Sequence, residues 1–347
     1  MQRQQHSTEA QPTAIRATDI GLTYSDGTEA VTGVTLDISA GMVFGFLGPN
    51  GAGKTTTIKM LTTLLQPTSG RITVNGYNAR TESRAVRESI GYMSQETSID
   101  PSLTIRENLR FACRAYSVSR GDRAGRIDEL LELIDLTEKA DRRAHKLSGG
   151  QKKRLDAAMA LVHHPPIVFL DEPTTGLDPT ARHRLWDYFR EINRQGTTIF
   201  LTTQYLEEAD ALCSDLAVIR DGEIVATGSP ADLKAQVGGD VLEIEFGDPA
   251  NTNVEHARSI IEGSEKVPIG GIETIQLTDK GLSVTSPQAR RIGSSLLVSL
   301  AEADIEIIGF RIRSPTLEDV FFALTGEPER DNADTEFIPD TQQREVE

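Results

Sequence analysis

A glycine-rich segment near the start of the chain has the residue types that hold a phosphate group. It reads GPNGAGKT over 48–55, an apolar run (43–48) leads into it, and a helical pattern (54–65) begins at its end. Glycines let the backbone curl so that successive N–H groups point at phosphate oxygens, and the helix N-terminus adds partial positive charge. Lys54 can reach the β- and γ-phosphates, and the Thr55 hydroxyl can ligate Mg²⁺. The sequence therefore predicts a phosphate-binding loop made of Gly48, Pro49, Asn50, Gly51, Ala52, Gly53, Lys54 and Thr55.

Two adjacent carboxylates follow a second apolar run, IVFLD at 167–171. Asp171 would end a buried strand at the edge of a sheet, where its carboxylate can hold a hydrated Mg²⁺. Glu172, the next residue, is then placed to polarise an attacking water molecule. Together with the phosphate loop, this pair predicts the hydrolysis of a nucleoside triphosphate.

Apolar strands that alternate with helical stretches must position these groups. Compact apolar runs at 43–48, 167–171 and 198–203 are typical of strands that are buried on both faces. Helical patterns separate them, notably over 126–136 and 152–164. This order predicts an α/β fold with a parallel sheet and right-handed crossovers.

The pattern changes along the chain in a way that predicts two domains and two tails. Residues 1–13 are polar and are predicted to be disordered, and 14–237 form the domain that carries the phosphate loop. Strand and helix patterns then predict a small α+β domain over 240–326. The polar, acidic residues 327–347 are predicted to form a disordered tail.

The charge balance argues against nucleic acid as a partner. The 347 residues include 36 Lys and Arg and 52 Asp and Glu, a net charge of −16, whereas nucleic-acid binders present a basic face. Residues 240–347 hold 22 of the acidic and 9 of the basic side chains, so the first domain is nearly neutral and can host a polyanion. No apolar run approaches the roughly 20 residues that a membrane-spanning helix needs.

A third motif resembles the signature sequence of ABC ATPases. It consists of Leu147, Ser148, Gly149, Gly150 and Gln151. It lies between the phosphate loop and the carboxylate pair, as in that family, and it presents N–H donors and a helix N-terminus that suit phosphate. The resemblance covers about 15–235 and implies a P-loop NTPase fold, in which about 96–165 form a helical subdomain.

The resemblance also implies that ATP and Mg²⁺ are the cofactors. Tyr24 resembles the aromatic residue that stacks on adenine, and Gln95 resembles the glutamine between the two subdomains. With Thr56, these residues and the phosphate loop make up the expected nucleotide-binding set. The expected Mg²⁺ set is Thr55, Gln95 and Asp171.

A second copy of the chain is expected at the ATP site. In ABC ATPases the signature motif, here Ser148 to Gln151, faces the ATP that the other protomer holds. The segment Gly176, Leu177 and Asp178 resembles the loop that crosses the same dimer interface. The resemblance therefore implies a homodimer that forms on ATP binding.

At one position the chain departs from the family pattern. Gln204 stands where the family usually has a histidine that contacts the γ-phosphate and the attacking water. Glutamine can still donate and accept hydrogen bonds, although it cannot titrate. Gln204 is therefore expected to join Lys54 and Glu172 as a catalytic residue.

The segments 202–210 and 316–326 are similar to those of the daunorubicin-resistance exporter ATPases.

The resemblance predicts an ATPase subunit that drives a separate membrane permease from the cytoplasmic face of the cell membrane. The helical segment between Gln95 and Leu147 is expected to contact that permease, and the cargo is expected to be a drug or a lipid-like compound. Two alternatives stay open, a soluble ABC ATPase that acts on DNA or ribosomes and an importer ATPase. A soluble ABC ATPase usually has two ATPase units in one chain or a long coiled-coil insertion, and this sequence has neither. Gln204 makes an importer ATPase less favoured.

Overall fold

The computed structural model describes residues 12–247, 254–263 and 271–325. The chain divides into two compact units, with the boundary between Gln236 and Val237. Among the described residues, no helix is both long and apolar enough to cross a membrane.

The two predicted tails fall almost entirely outside the described residues. This holds for 1–11 and for the whole acidic segment 327–347. Thr13, which was predicted to belong to the N-terminal tail, is instead the first residue of a strand and pairs with Ser39.

The first unit contains ten strands and eight α-helices within the described residues. The strands are β1 (Thr13–Thr23), β2 (Glu29–Ser39), β3 (Val43–Leu47), β4 (Ser69–Val74), β5 (Tyr77–Asn78), β6 (Ile90–Met93), β7 (Ile167–Asp171), β8 (Thr198–Thr203), β9 (Asp215–Arg220) and β10 (Glu223–Gly228). The helices are α1 (Lys54–Leu61), α2 (Ser83–Ser89), α3 (Ile105–Ala115), α4 (Arg123–Leu133), α5 (Gly149–Ala160), α6 (Pro179–Arg194), α7 (Leu206–Leu212) and α8 (Pro230–Gln236).

A six-stranded sheet with the order β10-β9-β3-β8-β7-β6 forms the centre of this unit. Strands β3, β7 and β8 are parallel neighbours, and every residue of each is buried, because apolar side chains point to both faces. Phe46 and Phe169 both pack against Phe200, with ring centroids 5.8 and 5.5 Å away. The predicted parallel sheet is confirmed, and β10 adds an antiparallel edge. A separate antiparallel sheet has the order β2-β1-β4-β5.

The ends of the helices follow local sequence signals. A capping box between Thr104 and Glu107 starts α3, because each side chain accepts a hydrogen bond from the other residue's backbone N–H. Helix α5 ends at Ala160, earlier than the predicted end at residue 164. His164 has a positive φ of 53°, and Pro165 follows it, so the chain turns away from the helix there.

The second unit is an antiparallel sheet with helices, as the α+β pattern predicts. Its elements are β11 (Asp240–Phe246), α9 (Val254–Glu262), β12 (Thr274–Thr278), β13 (Gly281–Ser286), α10 (Ala289–Glu302), β14 (Ile307–Arg313) and α11 (Leu317–Thr325), and the strand order is β12-β13-β11-β14. Leu242, Val284 and Leu296 lie in its core. Arg313 holds α11 to the sheet, because its guanidinium pairs with Asp319 at 2.6 Å and with Glu243 at 2.5 Å.

Candidate functional site

The phosphate loop lies between the end of β3 and the start of α1, as predicted. Its glycines are needed for close backbone approach and for positive φ. A Cβ on Gly48 would lie 2.4 Å from the Ile219 carbonyl oxygen, and one on Gly53 would lie 2.6 Å from that of Ala30. Gly51 and Gly53 have φ values of 84° and 101°, which L side chains rarely adopt. The loop therefore has little tolerance for any residue other than glycine at these positions.

The ammonium group of Lys54 lies inside this loop. Its side chain is 4% exposed, and Nζ donates to the carbonyl oxygens of Gly48 at 2.6 Å and Pro49 at 3.0 Å. Nζ also lies 3.3 Å from Oε1 of Glu172, in an ion pair that the sequence did not predict. A buried cation held in a loop of this kind can form strong, charge-assisted hydrogen bonds to phosphate oxygens.

Asp171 ends β7 beside Thr55. Its Oδ1 accepts hydrogen bonds from Thr202 Oγ1 at 2.6 Å and from Thr55 Oγ1 at 3.3 Å. Its Oδ2 is buried and has no hydrogen-bond partner among the described residues. Burial raises the pKa of the Asp171 carboxyl above its usual value, and the Thr202 hydroxyl opposes this shift. A carboxylate oxygen without a partner beside hydroxyl oxygens is a donor set that fits Mg²⁺.

Glu172 sits at the centre of the predicted catalytic groups. Its backbone has an unusual positive φ of 48°, and its N–H donates to Thr202 Oγ1 at 3.0 Å. Oε2 accepts a hydrogen bond from Gln95 Nε2 at 3.2 Å and one from Thr175 Oγ1 at 3.4 Å. The carboxylate is therefore fixed from both sides, by Lys54 on one oxygen and by Gln95 on the other. The structure thus connects Gln95 to Glu172.

A cavity of about 400 Å³ extends from Lys54, Gln95 and Glu172 to Tyr24. The Tyr24 side chain is 41% exposed, and its hydroxyl lies 3.1 Å from Thr56 Oγ1. The cavity is lined by Tyr24, Thr28, Glu29, Ala30, Asn50, Gly51, Gly53, Lys54, Thr55, Thr56, Gln95 and Glu172. An exposed aromatic ring at one end and a phosphate loop at the other suit a nucleotide.

Gln204 lies at the same sheet edge, one residue beyond β8. The neighbouring Thr203 accepts a hydrogen bond at its carbonyl oxygen from Gly48 N–H, at 3.3 Å, which fixes the edge to the phosphate loop. The Gln204 side chain is half-buried, and it is not among the residues that line the cavity. The structure therefore places Gln204 near the site, and no hydrogen bond among the described residues joins it to Glu172.

The signature motif and the predicted interface loop meet at a second, separate cavity. Ser148 and Gln151 form a capping box at the start of α5, with hydrogen bonds of 3.2 and 3.3 Å. Asp178 caps α6 by accepting from Ala181 N–H at 2.9 Å. This cavity of about 160 Å³ is lined by Ser148, Gly150, Gln151, Arg154, Asp178, Thr180, Ala181 and Arg184. It shares no residue with the cavity of Lys54.

Thr202 and Thr175 are contacts of the two carboxylates that the sequence did not predict. Thr202 faces Asp171 because β7 and β8 are parallel and these two residues are register partners. The run TIFLTT could have indicated Thr202, because its last residues reach the same sheet edge as the end of IVFLD. The pairing register between the two strands, however, cannot be predicted from either run.

The fold and the site define a nucleotide-binding protein, and sequence similarity gives its class. Residues 31–175 match the ABC transporter family, and 228–325 match the C-terminal domain of DrrA1-3-like ATP-binding proteins. The chain is 39% identical to the daunorubicin resistance ATP-binding protein DrrA3 of Streptomyces coeruleorubidus over 302 aligned residues. The alignment covers 87% of this chain and 93% of that protein. The chain is 38% identical, with the same coverage of both chains, to the Nod factor export ATP-binding protein I of Burkholderia thailandensis.

A solved structure extends the similarity to the fold. The dimeric post-hydrolysis state of the ATP-binding cassette MJ0796, bound to ADP and Pi, matches with a TM-score of 0.57 and 26% identity, over 62% of this chain and 98% of that chain. The chain belongs to the ABC transporter ATP-binding proteins, in the group that carries the DrrA-like C-terminal domain. It is an ATP-hydrolysing enzyme of that family.

Proposed function

We propose that the chain is the ATPase subunit that energises a separate membrane permease, and that the complex exports drug-like or lipid-like hydrophobic compounds. The observation that carries this proposal is the near full-length similarity to two proteins named for daunorubicin resistance and for Nod factor export. Both names describe the outward movement of a compound or resistance to one. They therefore favour an exporter over an importer or a soluble ATPase.

The first cavity is proposed to bind ATP. Tyr24 would stack on adenine at the exposed end, and Lys54 with the loop N–H groups would hold the phosphates. The phosphates would give the Lys54 ammonium a new anionic partner in place of Glu172, which lies 3.3 Å away. Glu172 would then be free to accept a proton from the attacking water, while Gln95 still orients its other oxygen.

A divalent cation fits beside the phosphates. Asp171 Oδ2, which has no hydrogen-bond partner among the described residues, would hold Mg²⁺ with the Thr55 hydroxyl and the Gln95 side chain. When bound, Mg²⁺ would neutralise negative charge that develops on the phosphates during hydrolysis. Thr202 keeps the carboxylate oriented for this task through its 2.6 Å hydrogen bond.

The second cavity is proposed to complete the site of another copy of the chain. The signature motif and the phosphate loop line different cavities of one chain, so a chain by itself leaves the open side of bound phosphate uncovered. The dimeric MJ0796 cassette is a related protein in which two copies do associate. A second chain would bring the helix N-terminus at Ser148 and its N–H groups to that phosphate.

The helical segment is proposed to contact the permease at the cytoplasmic face of the membrane. Helix α3 buries Ile105 and Leu109 but leaves Phe111 63% exposed. Aromatic side chains are enriched where proteins associate. The exposed ring therefore supports a protein-contact role for this part of the chain.

Co-expression with the multi-span membrane protein encoded nearest to this chain tests the proposal. We expect the chain to move into the membrane fraction and its ATP turnover to rise several-fold. Inside-out vesicles with both proteins should take up daunorubicin, used as a fluorescent probe, only when ATP is present. The Lys54→Ala variant should still join the membrane but should not drive uptake. A chain that stays in the soluble fraction, with turnover unchanged by the membrane protein, would contradict the proposal.

Replacing Gln204 by alanine is expected to lower ATP turnover by about 10²-fold, because a positioning group for water or the γ-phosphate typically contributes that much. ATP affinity should stay close to that of the parent, and Gln204→His should keep appreciable activity. Steady-state phosphate release measures the turnover, with the permease present if basal activity is low. Parent-like turnover in Gln204→Ala would show that this position has no catalytic part.

A further inference from the structure

A fully buried carboxyl lies behind the ATP site. Glu208, on α7, is 0% exposed and follows Gln204 by four residues. Its Oε1 accepts a hydrogen bond from Trp186 Nε1 at 3.1 Å, and its Oε2 has no hydrogen-bond partner within the described part of the chain. Burying a carboxyl is energetically unfavourable unless other groups compensate for it. Such a group therefore needs either a structural or a functional explanation.

The groups around Glu208 come from three segments of the site. The hydroxyls of Thr203 and Thr174 and the guanidinium of Arg182 lie near its carboxyl, while Trp186 is its hydrogen-bond donor among the described residues. Burial raises the pKa of Glu208, and the nearby Thr203 and Thr174 hydroxyls and the Trp186 N–H oppose that shift. Thr203 ends β8, Thr174 follows Glu172 by two residues, and Trp186 lies on α6.

Thr203, which lies near the carboxyl, contacts both the phosphate loop and the turn that carries Gln204. Its Oγ1 accepts from Tyr205 N–H at 2.9 Å, and its carbonyl oxygen accepts from Gly48 N–H at 3.3 Å. A change in the Thr203 side chain would therefore alter the backbone on either side of Gln204.

Thr174, which also lies near the carboxyl, belongs to the segment that carries Glu172 and the predicted interface loop. Its carbonyl oxygen accepts from Leu177 N–H at 3.2 Å, inside the loop that ends at Asp178. Asp178 in turn caps α6, the helix of Trp186. A second contact joins the same two elements, because the Arg182 guanidinium of α6 lies 4.6 Å from the ring centre of Tyr205.

We propose that Glu208 is a positioning residue for ATP hydrolysis, which holds the turn that carries Gln204 against the segment that follows Glu172 and against α6. The side chain acts through its hydrogen bond to Trp186 and through its buried position beside Thr203 and Thr174, and it touches neither nucleotide nor water itself. Small displacements of reacting groups, on the order of 1 Å, can lower turnover by about 10²-fold, so loss of this anchor should slow hydrolysis. The inference rests on the proposed roles of Glu172 and Gln204.

The test compares Glu208→Ala, Glu208→Gln and Glu207→Ala in the full-length chain. We expect Glu208→Ala to lower ATP turnover at least about tenfold while the Kd for MgATP stays within about twofold, since the nucleotide contacts are untouched. Glu208→Gln should restore most of the turnover, because its carbonyl can still accept from Trp186. Glu207→Ala removes the adjacent carboxylate, which is 79% exposed; its ion pair with Arg182 at 3.6 Å is screened by solvent, so this variant should behave as the parent.

A purely structural role would give a different result. If Glu208→Ala lost turnover and ATP affinity together, or if Glu208→Gln were as slow as Glu208→Ala, the proposal would be overturned. Should Glu208→Ala fail to fold, Trp186→Phe removes only the N–H donor, and a several-fold lower turnover with unchanged ATP affinity is expected. Parent-like turnover in Trp186→Phe would then overturn the proposal.

Glu172→Gln, measured in parallel, separates this proposal from the site assignment. If Glu172→Gln hydrolyses ATP at the parent rate, the assignment of Glu172 fails and the Glu208 proposal fails with it. If Glu172→Gln is inactive and Glu208→Ala turns over at the parent rate, only the Glu208 proposal fails.

Discussion

Replacing Lys54 by alanine is expected to remove most of the affinity for MgATP. The ammonium is 4% exposed and lies within 3.0 Å of two loop carbonyl oxygens, so it is already desolvated and directed into the phosphate loop. Losing charge-assisted hydrogen bonds to phosphate is unfavourable by about 2–3 kcal/mol, which corresponds to roughly a 30- to 150-fold increase in Kd. Isothermal titration calorimetry of the purified chain measures this change.

Lys59→Ala provides the matched control for that measurement. Lys59 lies on the same helix, α1, but outside the cavity, so its removal should leave the Kd for MgATP close to that of the parent. Equal affinities for Lys54→Ala and the parent would overturn the assignment of the phosphate loop.

Replacing Glu172 by glutamine is expected to stop hydrolysis and to trap an ATP-bound dimer. The amide is nearly isosteric with the carboxylate but cannot accept the proton of an attacking water, so turnover should fall by at least about 10²-fold. The substitution also removes the anion that pairs with Lys54 at 3.3 Å, so ATP binding should not weaken. Because ATP stays intact between two chains, the dimer should persist.

Size-exclusion chromatography with light scattering measures this outcome. Glu172→Gln should elute as a dimer with ATP and as a monomer without nucleotide. The double variant Lys54→Ala, Glu172→Gln should remain a monomer in both conditions, because it cannot hold the phosphates. A monomer in both conditions for Glu172→Gln, at high protein concentration, would count against two copies enclosing the nucleotide.

The sequence predicted the parts of this site that depend on short, continuous motifs. The phosphate loop could be recognised because its glycines, lysine and threonine serve one local backbone shape. Asp171 and Glu172 could be recognised because an apolar strand ends at them. The parallel sheet followed from apolar runs at 43–48, 167–171 and 198–203, which are buried at β3, β7 and β8.

The contacts that join distant segments could not be predicted in the same way. The Lys54–Glu172 ion pair and the hydrogen bond between Thr202 and Asp171 depend on the relative register of separate strands. Glu208 stands in an acidic run, LEEAD, that is typical of an exposed helix. It is nevertheless buried, and Trp186 on another helix supplies a hydrogen-bond donor that compensates in part for its burial.

One strand of the second unit was also missed. Strand β13 reads GLSVTS and was not predicted, although apolar and polar residues alternate in it as they do in a half-buried strand. All six residues are buried, the polar ones included. The burial of the face that carries Ser283 and Thr285 depends on tertiary packing, which the local sequence does not contain.

Mixing two inactive variants tests most directly whether each ATP site is built from two chains. Lys54→Ala removes the phosphate-loop cation, and Gly149→Asp places a carboxylate on the signature motif. A Cβ on Gly149 would lie 3.7 Å from Leu177 Cδ2, an ordinary contact, so this substitution should not disturb the single chain. In a mixed dimer, the intact phosphate loop of the Gly149→Asp chain would face the intact signature motif of the Lys54→Ala chain.

Each variant alone should be inactive, whereas an equal mixture should recover phosphate release. Each mixed dimer has one intact site of two, so an equal mixture is expected to recover part of the parent's activity, up to about half of it. If each chain completed its own site, both variants would remain broken and the mixture would release no more phosphate than the separate proteins. That result would contradict the account of a shared ATP site.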